Sequence, residues 1–240
     1  MKATERHHLK QNEFLVTTAR VLDALDRNRS RVLLMAAVAL LLAVIVGGYI
    51  YWRNGQADRA GALLGAAMAT AESQIAPAPS LPGATSAAGT FPTDEARAAA
   101  VVAAYNEVIT QYPSTRAARV ARYHLAGELL DAGRVDEAEQ QFRRVADEAG
   151  SSLYGPLARL GIAQAQNAAG NTDAASVTLT ELAASREGLL PVDGVLMELA
   201  RTSLKAGRTD DARAAFRRVV DEFPDSAYAL DAQQQLTALQ

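Results

Sequence analysis

The side chains of this 240-residue chain best suited to acid-base or metal chemistry near neutral pH are its three histidines, His7, His8 and His124. A zinc site needs three or four converging ligands, and no third ligand is suggested near His7 and His8, so the pair reads as an incidental polar doublet. His124 follows Tyr123 in a helix-forming stretch without a nucleophile or a partnered carboxylate at a useful spacing. A structural or groove-facing role is expected for it rather than that of a general base. The acidic doublets Asp136-Glu137 and Asp210-Asp211 stand where helices should begin, and negative charge there complements the helix dipole without any catalytic duty. Gly47, Gly48, Gly61 and Gly65 lie in apolar or helical sequence rather than after a strand, so no phosphate-cradling loop is expected. With no cysteine there is neither a disulfide nor a thiolate metal site, which is compatible with an oxidising compartment. Accordingly no catalytic, cofactor-binding or metal-binding residue is predicted.

The elements that carry these residues should be helices. Hydrophobic residues make up 49% of the chain but aromatics only 5%, because alanine, the strongest helix former, supplies much of the apolar count. No period-two alternation of useful length supports strands. Charge is uneven: residues 1–31 carry seven Lys/Arg against four Asp/Glu, residues 32–92 two of each, and residues 93–240 fifteen against twenty-one. A mildly acidic bulk argues against nucleic acid as a main partner, since phosphate binding needs a basic surface.

From Val32 to Trp52 the sequence VLLMAAVALLLAVIVGGYIYW contains no charge, and twenty-one helical residues span a hydrocarbon core of about 30 Å. A cleavable signal peptide is the competing reading. The 31-residue charged leader, the length of the apolar run and the lack of a small-x-small site directly after it favour an anchor. Arg20, Arg27, Arg29 and Arg31 precede the span whereas only Arg53 and Arg59 follow closely, which predicts a cytoplasmic N-terminus and an exported C-terminal part. Tyr49, Tyr51 and Trp52 form an interfacial aromatic anchor. Before the span, Phe14, Leu15, Val21, Leu22 and Leu25 interleave with Arg20, Asp23 and Asp26, as in an interfacial amphipathic helix or a plain cytoplasmic one. Ala39, Ala43 and Gly47 recur every four residues, a pattern that lets membrane helices approach closely to form a homo-oligomer but that also arises by coincidence.

After the span, residues 53–75 have helical composition and should extend the membrane helix outward, and residues 76–92 (APAPSLPGATSAAGTFP) read as a flexible linker. Thr93 before Asp94 and Glu95 is a helix start. From there to residue 240 the chain repeats itself. Gly133, Gly170 and Gly207 are each 37 residues apart, in the contexts DAGRVDEA, NAAGNTDAA and KAGRTDDA. The same shift aligns Leu125, Ile162 and Leu199; Ala126, Ala163 and Ala200; Ala138, Ala175 and Ala212; and Phe142, Leu179 and Phe216. QYPSTRAARVARYHLA (111–126) returns as EFPDSAYALDAQQQLT (222–237), with Pro113 and Pro224 three periods apart. A fixed period of this length predicts stacked helix-turn-helix units, in which glycine provides the left-handed stop and the alanines permit close helix crossing. About three full units are expected, with an outer-type helix over 94–112 before them and a closing helix over 226–239 after them.

The small, Gly, Ala, aromatic and Pro positions over 94–240 resemble the tetratricopeptide-repeat family. Departures are the absent early Trp (Arg122, Arg159 and Leu196 stand there), Gly150 in place of Pro, and a period of 37 rather than 34. The longer period and the YPST and FPDS junctions resemble the bacterial envelope subset, and the whole architecture resembles the inner-membrane ancillary subunit of the bacterial Sec translocon. The resemblance implies an all-α solenoid behind a single membrane helix, a periplasmic location at the bacterial inner membrane, no enzyme activity, and protein or peptide partners that include the translocon and chaperones. It further implies that each first helix turns a few residues to a concave groove: Tyr123, Gly127 and Leu130; Leu160, Gln164 and Asn167; Met197, Arg201, Leu204 and Lys205. Leu130, Leu160 and Leu204 read equally well as core. Two alternatives stay open: an organiser of cell-wall synthesis, division or outer-membrane assembly, and an enzyme or enzyme subunit.

Overall fold

The computed structural model describes residues 29–76, 89–150, 152–185 and 190–239. His7, His8, the amphipathic pattern over 14–26 and most of the expected linker lie outside these residues. The chain divides into two compact units, Met1–Gly55 and Gln56–Gln240. Helix α1 (Arg29–Ala71, 43 residues) joins the expected membrane segment and the expected membrane-proximal helix into one element.

In the first unit α1 is long and apolar enough to cross a membrane. Leu34, Leu40, Ile45 and Tyr51 are all exposed, and nothing packs at Gly47, so among the described residues this apolar run packs against no other element. Tyr49 and Trp52 stand with ring centroids 6.2 Å apart one turn from each other.

The second unit begins in the last turns of α1. Ala60 and Ala67 are buried, and Leu63, Leu64 and Ala71 pack on the core that holds Val101, Tyr105 and Leu125. The core therefore starts more than thirty residues before the boundary expected at Thr93. The helix also stops earlier than expected: Ser73 turns its hydroxyl onto the Ala69 carbonyl, and Gln74–Ile75 (β1) pairs in parallel with Thr90–Phe91 (β2). The expected linker is thus tied at its two ends. Arg97 reinforces the junction by donating from Nη1 to the Ala71 carbonyl at 3.1 Å, which caps the end of α1.

Eight further helices follow among the described residues: α2 (Asp94–Gln111), α3 (Arg116–Asp131), α4 (Val135–Glu148), α5 (Tyr154–Ala168), α6 (Thr172–Ala184), α7 (Val192–Lys205), α8 (Thr209–Glu222) and α9 (Ala229–Ala238). Each packs on the next, as a stack of helix pairs must. Thr93 caps α2 by accepting from the Ala96 N–H, and Thr115 caps α3 in the same way. The three period-marking glycines end α3, α5 and α7 with φ of 73°, 82° and 73°. The same two bonds close each of these helices: the residue after glycine donates to Leu129, Gln166 or Ser203, and glycine itself to Leu130, Asn167 or Leu204.

Packing follows the 37-residue register. Ala126, Ala163 and Ala200 on the first helices, and Ala138, Ala175 and Ala212 on the second, are completely buried, with Phe142, Leu179 and Phe216 filling the space between pairs. Gly150 takes φ of 55° where the first and last junctions carry Pro113 and Pro224, so this turn is made by left-handed backbone instead of a fixed proline φ. Arg122, in the place of the family's Trp, is buried against the second helix of its own pair and donates to Glu148 at 2.6 Å.

Candidate protein-binding surfaces

The first helices α3, α5 and α7 distribute the ten expected groove residues between surface and interior. Gln164, Arg201 and Lys205 are exposed; Tyr123, Gly127, Leu130, Leu160 and Leu204 are half-buried. Leu130, Leu160 and Leu204 pack at the margin of the core while keeping an edge in solvent. Met197 is a correction: at 1% exposure it belongs to the core formed with Leu196 and Ala200, because α7 turns this position inward rather than toward solvent. Asn167 is buried as well. Its Nδ2 donates to Thr202 Oγ1 at 2.7 Å, and its backbone carbonyl accepts from Lys205 Nζ at 2.9 Å. These contacts join α5 to α7, so Asn167 and Lys205 brace neighbouring repeats. Arg201 does likewise between α7 and α9 through Asp231 at 3.2 Å, an exposed pair of small energetic weight.

At the other end of the same face the rings of Tyr105, His124, Tyr123, Phe142 and Tyr154 form a contact chain. His124 stacks on Tyr105 with centroids 5.7 Å apart and meets Tyr123 edge-on at 5.5 Å; Tyr123 in turn meets Phe142 and Tyr154 edge-on. Burial lowers the His124 pKa, so the ring is neutral at physiological pH. Burial, then the charge of Glu128 and of Glu72, raises the Tyr105 phenol; burial, then Tyr154, raises that of Tyr123. Glu128 is raised by burial and by Asp131, with Arg97 pulling the other way and Asp94 adding to the rise. A neutral imidazole between two phenols has ring packing as its work. Among the described residues no group of three or more His, Asp or Glu is placed to hold a metal ion.

Two features escaped the sequence. One is Gly161 on α5, where a Cβ would lie 2.5 Å from Phe142 Cε1; the glycine is the seat of the Phe142 ring. The signal was present in the register, since one period on the glycine becomes Glu198 and the ring becomes Leu179. The other is a furrow of about 650 Å³ on the second helices, between α6 and α8, floored by Leu196, Leu199 and Ser203 of α7. Arg208 closes one end by donating to Asp173 and to Ser176 Oγ of the preceding pair.

Comparison with known proteins agrees with this architecture. The model of a tetratricopeptide repeat-like domain matches residues 25–187, and a second tetratricopeptide repeat model matches residues 195–226. The first match includes α1. No curated protein matches the chain. Among solved structures, the nearly identical TPR-like repeats of a putative kinesin light chain from Podosopora anserina superpose with a TM-score of 0.52 at 18% identity, over 60% of this chain and 78% of that one. A thermophilic TPR protein of Thermus thermophilus covers 60% of this chain and 90% of its own at 16% identity, with a TM-score of 0.32. At 18% identity the likeness to the first of these concerns the fold alone.

Proposed function

The chain belongs to the tetratricopeptide repeat-like domain family, and from that premise we propose that it is a non-catalytic, membrane-anchored scaffold that binds proteins on the first-helix face of its repeats. The observation that carries the reading is the unequal treatment of that face. Gln164 stays exposed beside half-buried Tyr123, Leu130 and Leu160, with Arg201 and Lys205 exposed but engaged between repeats, so that apolar edges flank a free hydrogen-bonding group, which suits an extended peptide or a partner helix.

Anchoring rests on the uncharged run in α1, whose large apolar side chains from Leu33 to Trp52 stand exposed, with no other element against them among the described residues. The excess of arginine before the run supports a cytoplasmic N-terminus and repeats on the periplasmic side of a bacterial inner membrane, within reach of the Sec translocon, chaperones and newly exported proteins. A photo-crosslinker at Gln164 in intact cells tests the reading. Translocon, chaperone or exported proteins are the expected catch, and recovery of cytoplasmic proteins alone overturns it. If deletion misplaces septa and leaves export intact, the alternative of an envelope organiser takes its place.

A further inference from the structure

The repeat provides its own control for judging a surface. Helices α4 and α8 are second helices of their pairs and each carries seven charged side chains, as a solvated outer face should. Helix α6 stands at the same place in the pair between them and carries two, Asp173 and Glu181. The register shows where the charge is missing. The arginine doublets Arg143-Arg144 and Arg217-Arg218 become Thr180-Glu181, Asp147 and Asp221 become Ala184, and Gln140 becomes Val177. Val177 is 60% exposed.

This stripped face forms one wall of the furrow between α6 and α8. Partly exposed Leu199 on its floor and exposed Val177 on its wall give it an apolar bed sized for a few side chains rather than for a folded body. The charges at its edge are unequally engaged. Arg208 is held by Asp173 and Ser176, with Asp211 Oδ2 3.5 Å from its Nε, and Arg218 is held by Glu222 at 2.7 Å. Glu181 has no ion-pair partner among the described residues. Among the described residues both arginines are therefore neutralised while a carboxylate on the wall is not, and the free charge there is negative.

We propose that this furrow docks an amphipathic helix of a partner protein, whose apolar stripe lies on Val177 and Leu199 and whose flanking Lys or Arg meets Glu181. A helix is the shape that a slot between two helices accepts, because its ridge of side chains enters the groove they leave. The site lies on the second helices and does not rest on the reading of the first-helix face.

The test uses the full chain in neutral-lipid nanodiscs and a designed fluorescent helical peptide with a Leu/Ala stripe flanked by Lys, together with its Lys→Glu twin. Anisotropy should show the Lys peptide binding the wild-type protein about three- to tenfold more tightly than the Glu twin, because attraction to the exposed Glu181 carboxylate gives way to repulsion. Val177→Asp should weaken the Lys peptide by a similar factor, and Glu181→Lys should invert the preference between the twins. Both positions are exposed, so neither variant endangers the fold. Equal binding of the twins, indifference to Val177→Asp, or an equal loss from Gln164→Glu on the first-helix face would each overturn the proposal. So would a dimer seen by sedimentation that Val177→Asp converts to monomer, since the occupant would then be a second copy. The Gln164 crosslinking result is independent of all four outcomes.

Discussion

Replacing Gly161 by alanine sets two effects of known sign against each other. In an open helix interior the change stabilises by about 1 kcal/mol, because glycine is the poorer helix former. Here the new Cβ would sit 2.5, 2.6 and 2.7 Å from Phe142 Cε1, Cζ and Cδ1, three contacts shorter than carbon atoms tolerate. The ring cannot swing away: Phe142 is 3% exposed and is held edge-on by Tyr123. Overpacking of this kind costs about 1 to 3 kcal/mol, and three simultaneous clashes on a trapped ring place it near the upper figure. The net expectation is a loss of about 2 kcal/mol, which for a domain of this size lowers Tm by roughly 4 to 8 °C. Urea unfolding followed by circular dichroism on the detergent-solubilised protein reads the change as a lower midpoint at unchanged slope. The partner variant Phe142→Leu, which installs the side chain found at the equivalent Leu179, should absorb most of the loss. The double-mutant cycle then gives a favourable coupling above about 1 kcal/mol. A Gly161→Ala protein as stable as wild type or more so, or additive effects in the cycle, refutes the claim that the ring is seated on the glycine.

Other substitutions separate similar-looking residues. Gly170→Ala, at φ of 82°, should cost about 1 to 2 kcal/mol, whereas Gly127→Ala in the interior of α3, where an added Cβ meets nothing, should be neutral or stabilise by up to about 1 kcal/mol; the two urea midpoints compare them directly. Glu148→Ala leaves the guanidinium of Arg122, 8% exposed, without its counter-charge, whereas Arg122→Met leaves only a carboxylate that is 48% exposed. Denaturation midpoints should therefore show the glutamate variant to be the less stable of the two, by about 1 to 3 kcal/mol. For His124 the folded pKa lies below the 6.5 of the free side chain, so the unfolded chain takes up its proton first and stability falls as pH drops below about 6.5. His124→Gln should remove that part of the decline when unfolding is measured between neutral and mildly acidic pH. The raised Glu128 acts in the opposite sense, favouring the fold toward acid, and persists in the variant.

The fold was legible in the sequence wherever one residue type answers one geometric need. Left-handed stops need glycine, and Gly133, Gly170 and Gly207 stood out at once. Close crossings need a small side chain, and the two alanine ladders gave the register. Legibility failed where the need is met by position instead. Ala60, Leu63, Leu64 and Ala67 look like any stretch of an Ala-rich helix, so the contribution of α1 to the repeat core was hidden behind the intervening Pro-rich segment. Met197 has the composition of a groove residue and the burial of a core residue, a distinction that rests on the rotation of α7 by a fraction of a turn. Asn167 reads as a ligand-facing amide until Thr202 and Lys205 are seen beside it.

That last case bears on how binding and bracing share a repeat surface. A polar residue on a first helix has two customers, the neighbouring repeat and an outside partner, and a hydrogen bond made to one is withheld from the other. Asn167, Lys205 and Arg201 are all engaged between repeats, which leaves Gln164 and the ring edges of Tyr123 and Tyr154 as the freest groups of the first-helix face. On the second helices the balance is reversed around α6. Among the described residues Arg208 ties that helix forward with its two bonds to Asp173 and Ser176, and the rest of its outer surface carries the single charge of Glu181 where α4 and α8 carry several. Loss of Arg208 should therefore loosen α6 from α8 without touching the apolar bed between them. Hydrogen exchange in Arg208→Ala should speed up at the backbone amides of α6 while those of α3 keep their wild-type rates; uniform acceleration through the stack would show that the bracing is shared and not local.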